Sequence, residues 1–92
     1  LTAQRAKALK PLEKAIGDAE NKIDEFEQEL KVLNAQMISA SHAQDGKKIA
    51  ELSKRIHECE TRIDELFTRL SSLSEEYESQ KKHFEELLSE AT

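Results

Sequence analysis

From Leu9 onward the apolar residues fall at steps of three and four without a break: Leu9, Leu12, Ile16, Ala19, Ile23, Phe26, Leu30, Leu33, Met37. A helix turns once every 3.6 residues, so this spacing lays one narrow apolar line along a single face, the a and d positions of a heptad repeat. A second line with the same steps runs Ile49, Leu52, Ile56, Cys59, Ile63, Leu66, Leu70, Leu73, Tyr77, Gln80, Phe84, Leu87, with Gln80 its one polar member. Between Met37 and Ile49 the phase is lost and the residues turn polar, with Ser39, Ser41, His42, Asp45 and Gly46. Such residues end one helix and start another, Ser41 or Asp45 being the candidate cap of the second and Gly46 free to take an unusual turn dihedral. So short a connection makes the two helices antiparallel neighbours. The fold class is therefore all-α, a two-helix antiparallel coiled-coil hairpin, with the first helix over 11–40, a turn over 41–46 and the second helix over 47–90.

Composition agrees with a long thin fold. Of 92 residues 37% are hydrophobic, 4% aromatic and 36% charged, too little apolar material for a globular core but enough for one seam. Pro11 lacks the amide that would bond residue 7, so the helix either begins there or kinks, and residues 1–10, rich in Ala, Lys and Arg, read as a helical linker arriving from an upstream domain. Layering a against d positions favours a register that faces Leu30 with Cys59 and Phe26 with Ile63. The alternative faces Leu33 with Ile49 and Leu30 with Leu52.

The net charge of −5 opposes nucleic acid and anionic membranes unless the basic residues are segregated. Part of them is. Lys48, Arg55, Arg62 and Arg69 recur every seventh residue at g, flanked by Lys22 on the facing helix, and form a candidate nucleic-acid-binding stripe. Glu51, Glu58 and Glu65 lie four residues before the three arginines, the favourable order for intrahelical pairs, so the same stripe also reads as a helix-stabilising face. No catalytic residue, cofactor site or metal set is expected: no cleft-forming element buries the carboxylates, and the spacing of His42, His57, Cys59 and His83 does not suit zinc. Cys59 at d reads as a small core residue. Phe67 and Leu88 at e lie beside the seam, where they either broaden the core or mark a docking surface. Phe84, Leu87 and Leu88 run past the reach of a first helix that begins at Pro11, and the segment before it is the nearest candidate cover, an upstream domain or a second copy of the chain being the others. One cysteine and the lack of an apolar span or signal peptide point to a cytoplasmic chain without membrane contact, and the short loop to a monomer. The start at Leu1 without a nucleotide-binding motif reads as a piece of a larger protein.

The stretches KALKPLEKAIGDAENKIDEFEQEL, QDGKKIAEL and RIDELFTRLSSLSEEYE resemble the C-terminal coiled-coil domain of the ABC-F ATPases, proteins with tandem ATP-binding cassettes and no transmembrane domain. Phe67 and Leu70 stand where that family often has Trp or Tyr, and Ser39-Ala40-Ser41-His42 where it often has Asp-Pro followed by Tyr. The resemblance implies a non-catalytic appendage that helps its parent engage nucleic acid or the ribosome. It also implies upstream ATPase domains as partners, and ATP and Mg in the parent rather than in this segment.

Overall fold

In a computed structural model, which describes residues 2–91, two helices account for all but three of those residues: α1, Thr2–His42, and α2, Gly46–Ala91. They lie side by side in a rod of 70 × 15 × 13 Å. Its radius of gyration is 20.6 Å, against about 12 Å for a compact domain of this length. At 1.5 Å per residue a straight helix of this length spans roughly 70 Å, so α2 sets the length of the rod. The heptad argument for an all-α hairpin is matched by this architecture.

The turn is built differently from the sequence expectation. α1 continues to His42, past the expected end at Ala40, and Gln44 takes the left-handed conformation, with φ 55°. Its amide donates to the Ser41 carbonyl at 3.1 Å and the Asp45 amide to the Ala40 carbonyl at 3.1 Å, the hydrogen-bond pair of a Schellman motif. Ser41 thus closes α1 rather than capping α2. The N-cap is Asp45: its Oδ1 accepts from the Lys48 amide at 3.2 Å and its carbonyl from the Ile49 amide at 2.9 Å, an arrangement worth about 1 kcal/mol. Gly46 has a negative φ and is the first residue of α2, so the strained position belongs to Gln44.

The turn also decides the register. With α1 ending at 42 and α2 starting at 46, the layers fall as Ala40 with Ile49, Met37 with Leu52, Leu33 with Ile56, Leu30 with Cys59 and Phe26 with Ile63. These ten residues are the members of the main hydrophobic cluster. The alternative register would bring Ala19 and Ile23 into that cluster and leave out Met37 and Ala40. Far from the turn, the Tyr77 hydroxyl donates to Glu13 Oε1 at 3.2 Å, which keeps the same alignment. The Cys59 thiol donates to the Phe26 carbonyl at 3.1 Å. Burial pushes its pKa up, with the Glu29 and Glu60 carboxylates adding to the effect, so it stays protonated and able to donate. Two helices cannot enclose every seam position: Leu33 is 1% exposed, while Phe26 is only half-buried.

α1 does not begin at Pro11. Nine helical residues precede it, and Leu9 is 3% exposed, so the seam runs through the proline. Pro11 occupies a c position and is exposed. The Lys7 carbonyl that it leaves without an amide therefore lies on the outer side of the helix, where water can satisfy it. Carried beyond Leu9, the register sets Leu9 opposite Gln80 and Arg5 opposite Phe84. Phe84 is 9% exposed, in keeping with cover from the first ten residues.

Candidate nucleic-acid interface

The g positions of α2 lie beside the seam, so successive basic residues project from one edge at roughly 10 Å intervals. Lys48, Arg55, Arg62 and Arg69 are all exposed, as is Lys22 on α1. Arg62 and Arg69 share one shallow depression with Lys22, Phe26, Glu65 and Leu66. Arg55 and Arg62 share the next with Phe26, Glu29, Glu58 and Cys59. Lys48 stands apart near the turn, beside Val32, Ala35, Gln36 and Ser39. Four of the five cations thus fall into one continuous strip, with carboxylates set into it.

The pairing pattern differs from the one the spacing predicts. Among the described residues, none of the three expected pairs from Glu51, Glu58 and Glu65 to the arginine four residues on closes to 4 Å. Arg55 Nη2 instead reaches across to Glu29 Oε1 of α1 at 3.8 Å, and Arg62 Nη1 turns forward to Glu65 Oε2 at 4.0 Å. Lys22 Nζ meets Glu25 Oε2 at 3.2 Å. Each side chain in these pairs is about half exposed or more, so each pair contributes at most about 1 kcal/mol and is weakened by salt. The side-chain nitrogens of Arg69 and Lys48 have no carboxylate within 4 Å among the described residues.

Phe67 and Leu88 are 50% and 40% exposed and do not broaden the core. Two further exposed apolar side chains escape the heptad reading, Val32 at 56% and Ile38 at 62%. They occupy the outer c and b positions within residues 32–44, which carry no Asp, Glu, Lys or Arg. That uncharged run in a highly charged chain is the signal that could have found them. Among the described residues no group of three His, Cys, Asp or Glu could hold a metal ion, and no helix is long and apolar enough to cross a membrane.

Residues 1–75 match the ABC transporter C-terminal domain family. The chain belongs to that family. No curated protein and no solved structure matches it. As an ABC-type C-terminal domain the hairpin is an appendage of a larger protein, and the matched span takes in the full strip from Lys22 to Arg69.

Proposed function

We propose that this ABC-type C-terminal domain is the coiled-coil appendage of an ABC-F type ATPase and engages nucleic acid, either free or within the ribosome. The observation that carries the reading is the row Lys48, Arg55, Arg62 and Arg69, exposed along one edge with Lys22 beside it. Their ion pairs are solvent-exposed and weak, so exchanging a carboxylate for a phosphate costs little. In this reading ATP and Mg belong to upstream ATPase domains of the same chain, and the appendage performs no chemistry. Binding of duplex DNA and of RNA by the 92-residue chain is expected to weaken steadily as salt rises, because each phosphate contact releases counterions. Absence of binding to either at low salt would overturn the proposal.

The exposure of Phe67 and Leu88 favours a second reading, a structural coiled coil that spaces or dimerises domains. The first reading carries a monomer, because the short turn makes intramolecular pairing entropically cheap. Sedimentation at micromolar concentration should report one chain mass. A stable dimer that loses its partner on Phe67→Ser would favour the second.

A further inference from the structure

A second local excess of positive charge lies away from the arginine row, at the open end of the hairpin. Residues 2–14 carry Arg5, Lys7, Lys10 and Lys14 against Glu13 alone, a net charge of +3 within a chain of −5. Lys7, Lys10, Pro11 and Lys14 follow the i, i+3, i+4, i+7 spacing that keeps residues on one helical face. All four are exposed, and with Glu13 they line one surface depression on the outer side of α1. Lys14 Nζ pairs with Asp18 Oδ2 at 2.9 Å. Lys7 and Lys10 have no carboxylate within 4 Å among the described residues. In the row Arg55, Arg62 and Lys22 are each tied to a glutamate and Glu58 lies in the same strip, while Arg69 and the Lys48 side chain, like Lys7 and Lys10, have no carboxylate within 4 Å among the described residues.

We infer that Lys7, Lys10 and Lys14 form a second phosphate-anchoring surface of this domain, taking a nucleic-acid backbone at the open end of the hairpin and extending the track of the arginine row. The inference rests on the nucleic-acid reading above and names a further place where that binding occurs. A polyanion is drawn to net charge rather than to a count of cations, and a cation already neutralised by a neighbouring carboxylate releases fewer counterions from the phosphates it meets. The separation is short: about 12 Å of helix lies between Lys14 and Lys22, so one bound strand can pass from the lysine face to the row. Pro11 contributes by position. Its ring occupies a point on the face where a longer side chain would stand between the lysines.

The test compares three triple variants, K7A/K10A/K14A, R55A/R62A/R69A and the control K31A/K81A/K82A, whose Lys81 and Lys82 lie among Glu78 and Glu85. Each is checked for helicity and titrated by fluorescence anisotropy between about 50 and 200 mM salt, once with a short DNA duplex and once with an RNA hairpin. K7A/K10A/K14A should lower the slope of log K against log salt by about 2, through Lys7 and Lys10 with less from the Asp18-paired Lys14, R55A/R62A/R69A should also lower it, and the control should lower it by less than about 1. A slope change with one probe only assigns the surface to DNA or to RNA. If the wild type binds but K7A/K10A/K14A keeps its slope, or all three variants lose it equally, the inference is overturned while the nucleic-acid reading stands. If the wild type binds neither probe, both fall. Alanine is a stronger helix former than lysine, so loss of folding is not the expected cause of any change.

Discussion

Replacing Leu33 with Ala is expected to destabilise the hairpin by about 2–5 kcal/mol and to lower its melting temperature by roughly 10 °C or more. Among the described residues Leu33 is the one side chain exposed by less than 2%, and it sits within the cluster of Ala40, Leu52 and Cys59, with Phe26, Leu30, Met37, Ile49, Ile56 and Ile63 packed around it. A two-helix seam has no second layer that can collapse into the space left behind, so the full cavity cost should be felt. The neighbouring Val32 makes the control. It is 56% exposed, and Val32→Ala should change stability by less than about 0.5 kcal/mol, aided by the better helix propensity of alanine. Thermal melts followed by circular dichroism decide the matter. Equal losses at the two adjacent positions would contradict the heptad assignment. Phe26, although larger and at a d position, is half-buried and is expected to cost less than the full range for a buried Phe.

The hairpin was legible because its information is periodic. Seam positions repeat over both helices, and a single phase break between Met37 and Ile49 marks where the chain reverses. That pattern needs no tertiary context, but it left two layerings open, and the turn over residues 43–45 decides for the one that faces Leu30 with Cys59. What the pattern did not give is set by local chemistry. At the turn, glycine suggested the left-handed position, but Gln44 occupies it, where the Schellman hydrogen bonds to Ala40 and Ser41 offset the steric cost of a non-glycine residue. Among the charges, spacing predicted pairs within α2, whereas Arg55 found Glu29 on the other helix. Long side chains reach across a two-helix interface as readily as along one helix, and sequence spacing describes only the second option. The concentration of positive charge at the open end was present in the composition of residues 2–14. It became a surface only once helix geometry placed Lys7, Lys10 and Lys14 on one face.

Pro11→Ala is expected to stabilise the protein, an unusual sign for a substitution within a long helix. A proline in a helix interior costs about 3 kcal/mol relative to alanine, through the missing amide and the crowding of its ring against the preceding turn. Part of that is returned in the unfolded state, where proline restricts the chain by about 0.4–1 kcal/mol, so the net gain should lie near 2 kcal/mol. The prediction depends on α1 running unbroken from Thr2 through Pro11, with Leu9 buried on its far side. Because the open end of a hairpin can open before the rest, the gain should be largest in native-state hydrogen exchange, as slower exchange of the amides of residues 8–15, and smaller in the global melt. Had the helix started at Pro11, proline would sit where it is favoured, in the first turn. The substitution would then be neutral or mildly destabilising, and the amides before residue 11 would exchange as in a coil. Observing that pattern would remove the cover assigned here to Phe84, and with it the single helical face on which Lys7, Lys10 and Lys14 depend.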